Sequence, residues 1–323
     1  MASGWRSACI ASAAGKTADK CSVDKGRVSL VYVFPCLLVS GELTLSDNET
    51  LTYLKAERAR RPELAETLDL HIAILEARAA VSVTPPPLLA DDAGARLARG
   101  EPLLHPADLP FDWEAVTRLF QTICTLAAQY RPDEADAFAE LAREFASPAR
   151  LPELARDYLA STPYATRNTH EAPTPHRHSP LLTFALNNAL HPFLAACARA
   201  WRPLVDDGMW YRAHCPICGG APDFAALEKE SGARRLLCAR CDFEWTFHRA
   251  RCPFCDTDAP GQVGYFPSPD GAYRLYTCEN CKRYLKTIDQ RELAREVHLP
   301  AERVLTIAMD VAAQQAGYRS IAD

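Results

Sequence analysis

Four Cys-x-x-Cys pairs stand at Cys215/Cys218, Cys238/Cys241, Cys252/Cys255 and Cys278/Cys281, and they fall into two matched sets. Nineteen residues separate the pairs of the first set and 22 those of the second. Two intervening residues let one tight turn aim both sulfurs at a single ion, and two such turns complete a tetrahedron. The prolines of "CPIC" and "CPFC" and the glycines Gly219 and Gly220 suit that turn. "LLCARC" and "LYTCENC" place the second turn of each set at a strand end, as a small β-ribbon requires. Pairing of neighbours gives two independent ribbons. It is preferred here to a cross-brace of first with third and second with fourth pairs, which the spacing also permits.

Other thiol chemistry needs other surroundings. A thioredoxin-like dithiol sits where a strand feeds a helix N-terminus, and no βαβ pattern surrounds any of these pairs. A disulfide scaffold implies export, whereas eight of the 13 cysteines crowd between Cys215 and Cys281 and the N-terminus makes a poor signal. Its apolar run "VSLVYVFPCLLV", Val28 to Val39, is too short to span a bilayer, starts late and contains Pro35. Metal binding is therefore the reading of the cysteines: two metal ions, iron or zinc, each in a four-cysteine site. Four thiolates suit either ion. They also leave no position open for water or substrate, so such centres hold structure or pass an electron and do not hydrolyse. His214 and His248 adjoin cysteines, but complete sets leave them as neighbours.

The rest of the 323-residue chain reads as helix. Leu64, Leu68, Ile72 and Leu75 recur at helical spacing after Pro62. Val116, Leu119, Phe120, Ile123, Leu126, Ala127 and Tyr130 follow Asp112, an expected N-cap, and stop at Pro132. Residues 181–201 predict a helix bent or broken before Pro192. His170, His176 and His178 lie in a proline-rich stretch read as an inter-helix loop. One amphipathic helix is expected over 299–318, with Leu305, Ala308, Met309 and Ala312 on the face that docks back. The expected organisation is α+β: a mobile extension at 1–45, an all-α domain at 46–208, a double four-cysteine domain of rubredoxin-like or zinc-ribbon modules at 209–289, and a C-terminal helix at 290–323 packing back.

Charge narrows the partners. The net charge of −5 offers no bulk attraction for nucleic acid or an anionic membrane, and the cysteine-rich part is nearly neutral where phosphate binding wants a clear positive excess. Only 234–251 is locally basic, through Arg234, Arg235, Arg240, Arg249 and Arg251. Those arginines are expected to offset the negative charge of a metal–thiolate centre.

"HCPICGGAP", "RRLLCARCDFEWTFHRARCPFC", "YTCENCKRYLKTID", "MDVAAQQAGY" and, more weakly, "GEPLL" at Gly100 to Leu104 resemble the formate dehydrogenase accessory protein FdhE family. The resemblance runs from about residue 49 onward. It implies a cytoplasmic maturation factor, not an enzyme, that binds the catalytic subunit of respiratory formate dehydrogenase before export. It carries over Cys215, Cys218, Cys238, Cys241, Cys252, Cys255, Cys278 and Cys281 as ligands, and Glu244, Trp245 and Arg249 as next candidates for client contact. The bland alternative has Trp245 filling the ribbon core and Arg249 pairing with Glu244. No nucleic acid and no membrane insertion are expected, and self-association is left open. The alternatives are a rubredoxin-like electron-transfer or redox-sensing protein and a nucleic-acid-binding zinc ribbon.

Overall fold

The computed structural model describes residues 45–160 and 179–321. The apolar run Val28 to Val39 and the loop histidines His170, His176 and His178 lie outside them.

The helices form where apolar spacing and capping agree. Helix α1 spans Leu45–Arg60, α2 Ala65–Ala79, α3 Ala90–Arg99, α4 Trp113–Tyr130, α5 Ala135–Glu144, α6 Leu151–Ala160 and α7 Pro180–Trp201. Asp112 caps α4 as expected, its carboxylate accepting from the amides of Glu114 and Ala115 at 3.0 Å each. Helix α2 is buried on two sides. Leu70 and Ile74 enter the main core, while Leu68, Ile72 and Leu75 meet Leu54 and, from the far end of the chain, Ala301 and Leu305.

Helix α7 continues through Pro192, where the sequence suggested a bend or break. Proline in a helix interior costs ~3 kcal/mol, and packing offsets it: every residue from Ala189 to Ala198 is buried. This helix is long and apolar enough to cross a membrane, yet 67% of its most apolar window is buried inside the fold, as in a core helix.

The expected C-terminal helix is two. Helix α8, Leu299–Leu305, and α9, Ile307–Gln315, part at Thr306. The Arg303 carbonyl accepts from Lys286 Nζ at 2.8 Å, which draws it out of a continuous helical ladder. The break lets two short faces reach different floors. Ala301 and Leu305 dock on α1 and α2, whereas Ala313 meets Leu275 and Tyr284.

Six strands follow the helical part: β1 Pro222–Leu227, β2 Arg234–Cys238, β3 Glu244–Phe247, β4 Val263–Pro267, β5 Tyr273–Cys278 and β6 Tyr284–Asp289. Each matched cysteine set forms an antiparallel three-stranded ribbon. The ribbons then merge, because β1 pairs in parallel with β6 from Phe224 opposite Lys286 to Leu227 opposite Asp289, giving one sheet in the order β3-β2-β1-β6-β5-β4. The chain from residue 45 on is one compact unit. Phe120, Ile123, Leu186 and Leu190 of the helices share a core with Cys215, Cys238 and Trp245 of the first ribbon, all fully buried. The division expected at 208/209 thus crosses a continuous core.

Candidate metal centres

All four knuckles repeat one backbone device. The first cysteine's carbonyl accepts from the amide four residues on: Gly219 to Cys215 (2.9 Å), Asp242 to Cys238 (3.3 Å), Asp256 to Cys252 (3.0 Å) and Lys282 to Cys278 (2.8 Å). Its own amide donates to the carbonyl five residues on, those of Gly220, Phe243, Thr257 and Arg283. This closes a loop that turns both sulfurs to one side. The residue after the second cysteine is left-handed each time, with φ of +70° at Gly219, +56° at Asp242, +64° at Asp256 and +55° at Lys282. Aspartate is among the side chains that tolerate this region. Gly220 answers a different need, since a Cβ there would lie 2.9 Å from Cys238 Sγ.

The sulfurs gather as neighbours. Cys215, Cys218, Cys238 and Cys241 form one cluster and Cys252, Cys255, Cys278 and Cys281 the other, with the four sulfurs of each within 4.8 Å of one another. The nearest approaches are 3.5 Å in the first, Cys218 to Cys238 and to Cys241, and 3.6 Å in the second, Cys255 to Cys278. Amides of Ile217, Arg240 and Phe254 point at Cys215, Cys238 and Cys252 Sγ, each at 3.4 Å, and Asn280 Nδ2 at Cys255 Sγ at 3.3 Å. These donors favour thiolate over thiol.

The clusters resist ionising unaided. Burial pushes the Cys215 and Cys241 thiols well up, whereas Cys218 is held down by hydrogen bonds from its three neighbours and by Arg240. Burial likewise pushes Cys278 to about 11. A dication displaces those protons and supplies the missing charge. Both clusters therefore fit a tetrahedral four-sulfur metal ion, zinc or iron by donor chemistry.

The first cluster is gripped from every side. Leu103 and Leu104, the end of "GEPLL", donate their amides to the carbonyls of Pro216 and Ile217 at 2.8 and 2.7 Å. Arg240 reaches the carbonyls of Tyr158 and Leu159 at the end of α6, and Asn187 of α7 donates to the Ala239 carbonyl. Arg303 of α8 donates to the Cys238 carbonyl and to Asp242, both at 2.9 Å, while His191 of α7 bonds Asp242 at 2.9 Å. The second cluster has fewer supports. Cys255 and Cys281 are only half-buried, and knuckle 278–281 is braced by the Arg319 amide on the Lys282 carbonyl at 2.7 Å.

The other singled-out residues take varied places. Trp245 is fully buried, its indole donating to the Arg212 carbonyl at 2.8 Å, so its ring fills the ribbon core. Glu244 is half-buried, and burial pushes its carboxyl up while Arg235 opposes. Arg249 is exposed and hydrogen-bonds Tyr276, not Glu244. His214 is buried against Trp210, and His248 stacks on Tyr211. Neither joins a sulfur cluster.

One constellation escaped the sequence reading. Asp47, His191 and Asp242 converge at a cavity of about 330 Å³ beside the first cluster. Guanidiniums already occupy the place of a cation there: Arg78 donates to Asp47 at 2.8 Å and Arg303 to Asp242 at 2.9 Å. Burial opposes ionisation of Asp242, yet Arg303 and His191 hold its carboxyl below the usual range. Asp223 on the same Arg303 is pushed up by burial to about 6. The members span residues 47 to 303, each an isolated polar residue in its own segment, so no local pattern announces them.

Comparison with known proteins returns one family twice. An FdhE homolog from Aquifex aeolicus is 30% identical over 142 residues, 43% of this chain and 49% of the relative. One from Haemophilus ducreyi is 32% identical over 109 residues, 33% of this chain and 35% of the relative, and one from Pseudomonas aeruginosa is 28% identical over 148 residues. The matches thus span half or less of these curated relatives. The crystal structure of the FdhE protein from Pseudomonas aeruginosa superimposes with a TM-score of 0.55 at 20% identity, covering 87% of this chain and 94% of that one. No family model matches. The chain is thus similar to several FdhE homologs over half or less of their length, and it shares its fold with the FdhE crystal structure over most of its own.

Proposed function

We propose that this chain is a cytoplasmic accessory factor that binds the catalytic subunit of a respiratory formate dehydrogenase before export and is not itself an enzyme. The observation that carries the reading is the pair of closed four-sulfur clusters built into one sheet. Cys215, Cys218, Cys238 and Cys241 hold one ion, and Cys252, Cys255, Cys278 and Cys281 the other. When bound, each ion cross-links two knuckles and, as iron, can carry an electron. With every position filled by sulfur, neither centre offers a substrate a place, so the protein acts by presenting a surface.

That surface is assigned around Arg249. Met209 is 82% exposed and Tyr211 45%, and Tyr211 carries the stacked His248. Glu244 adds a half-buried acid on β3, and Trp245 contributes by holding the strand. The nucleic-acid reading loses its basic patch to internal contacts. Arg234 and Arg240 are buried, Arg235 pairs with Asp207 and Arg251 with Asp258.

The test is a pull-down of the catalytic subunit with the Cys238→Ser/Cys241→Ser double variant and with Arg249→Ala, paired with formate-dependent dye reduction in cells lacking their own factor. Capture is expected to fall in both, with metal content intact in Arg249→Ala. Unchanged capture by a double variant shown to have lost metal overturns the reading. The half-buried Cys255 and Cys281 favour electron transfer as the second reading. A coloured ferric protein that captures no client would select it.

A further inference from the structure

Arg234 poses a charge problem that the ribbon alone does not solve. The residue is 1% exposed, at the start of β2. Among the described residues no carboxylate pairs with it. Its Nη1 reaches the carbonyls of His248 and Arg251 at 3.4 and 3.2 Å, and the guanidinium also hydrogen-bonds the Tyr276 side chain, so it has no carboxylate among its partners. The charged and titratable groups acting on it are Tyr276 of β5, Arg249 of the loop after β3, and Cys252 of the second cluster. The guanidinium lies over the Tyr276 ring at 4.2 Å. A second arginine there adds positive charge, so the local field is unbalanced. A buried cation without a counter-charge is strongly destabilising.

The first ribbon repeats the arrangement. Arg240, 6% exposed, stacks over and hydrogen-bonds Tyr158 (4.3 Å to the ring), donates to backbone carbonyls, and interacts with the sulfurs of Cys218 and Cys238 rather than with a carboxylate. Each centre thus has one buried arginine on a tyrosine ring and no acid to pair it. Of the other three arginines of the segment, Arg235 and Arg251 pair with carboxylates and Arg249 is exposed. A metal–thiolate centre supplies the missing partner. Four thiolates around a divalent ion carry two net negative charges, and in a low-dielectric interior that charge needs a nearby cation.

We propose that Arg234 is the buried counter-cation of the second four-cysteine centre, the positioning residue whose charge offsets that of Cys252, Cys255, Cys278 and Cys281 around their ion. The inference rests on the reading of those cysteines as metal ligands. Arg234 touches no metal. It is tied to the centre through the carbonyl of Arg251, the residue before Cys252, and the Tyr276 ring fixes its plane.

The experiment uses the full reduced chain and Co2+, followed by thiolate-to-cobalt absorption across a pH series. Wild type takes up two equivalents. In Arg234→Met the second equivalent is expected to bind roughly tenfold more weakly, with its half-loading pH raised by about one unit, since a tenfold change in proton competition corresponds to one unit. Arg234→Lys, which keeps the charge without the fork, restores the wild-type pH profile. In iron-loaded protein the neutral variant lowers the midpoint potential of one centre only. A merely structural role would change thermal stability and leave both pH profile and potential in place. Identical loading of Arg234→Met and wild type at every pH overturns the proposal. Should Arg234→Met fail to fold, Arg234→Lys decides alone, because a lysine variant that loads one ion overturns it. A wild-type chain that takes up no Co2+ removes the ligand reading and the inference with it.

Discussion

The two four-cysteine centres share one knuckle backbone and differ in almost everything around it. All four sulfurs of the first belong to residues at most 4% exposed, and residues of α6, α7, α8 and the Gly100–Leu104 segment bond directly to its knuckles. Two cysteines of the second stand half in solvent, next to an edge strand whose Tyr265 and Phe266 are 47% and 59% exposed. One centre is part of the protein's core. The other is an attachment braced mainly by its own ribbon. The same local motif therefore carries different thermodynamic weight, decided by what the rest of the chain brings to it.

The largest effect expected follows from that asymmetry. A structural metal site contributes about 10 kcal/mol or more of folding free energy, comparable with a domain's whole stability of roughly 5–15 kcal/mol. Because the first centre shares its core with α4 and α7, Cys218→Ser should lower helical circular dichroism together with metal content. Cys281→Ser should leave the helical signal near wild type. Equal loss of helix in the two variants breaks the comparison.

Next in size is Arg303→Ala. This guanidinium donates to Asp242 and the Cys238 carbonyl and pairs with Asp223 at 3.0 Å, tying α8 to the first centre. Breaking a buried pair by removing one partner costs ~3–5 kcal/mol, and the side chain's 20% exposure argues for the lower end. The thermal midpoint should drop by several degrees with both ions retained. A drop no larger than that of the exposed pair variant Arg99→Ala would show that the clasp is not what holds α8.

The second centre should give up its ion first. In a competition with a chromophoric chelator, one equivalent is expected to leave quickly and the other only as the fold opens. Cys255→Ser should abolish the fast phase alone. Release of both ions at one rate removes the distinction between core and attachment.

How much of this was legible in the sequence divides along the same line. The knuckles are local objects, each fixed by a six-residue hydrogen-bonded loop, so spacing located all eight cysteines and favoured neighbour pairing, while the choice against a cross-brace needed the fold. The Asp112 cap and the apolar face of α4 were equally local. The merger of two ribbons was not, because the parallel β1–β6 pairing joins residues about 60 apart through backbone groups that carry no side-chain code. Nor was the break at Thr306, which depends on Lys286 reaching a carbonyl 17 residues away. "GEPLL" was visible as a motif without a task until Leu103 and Leu104 were found on the first knuckle. The basic run 234–251 could be read as charge compensation, but only three dimensions separate Arg234 and Arg240 from Arg235 and Arg251, which are spent on acids.

The smallest effect expected is a pH dependence confined to the first centre's surroundings. Asp223 and Asp242 share Arg303, yet burial lifts Asp223 to about 6, while Arg303 and His191 hold Asp242 below the usual range against its own burial. Their contributions have opposite signs. Asp242 adds stability above the unfolded carboxylate range, and that stability is lost only as pH falls toward its depressed folded value. Asp223 binds its proton more tightly folded than unfolded, so between about pH 4 and pH 6 the native state holds a proton that the unfolded chain has released. Stability attributable to Asp223 is therefore greatest at the acid side of that window and declines as pH rises through about 6. With a quarter of its side chain exposed, the effect is about 1 kcal/mol or less. Comparing thermal midpoints of wild type and Asp223→Asn from pH 5.5 to 7.5 isolates it, because protonation of the metal-binding thiols affects both chains alike. The difference should move in favour of the asparagine variant as pH rises. A difference that stays constant would mean the Arg303 pair outweighs burial, and that Asp223 belongs with Asp242 as a second ionised member of the clasp.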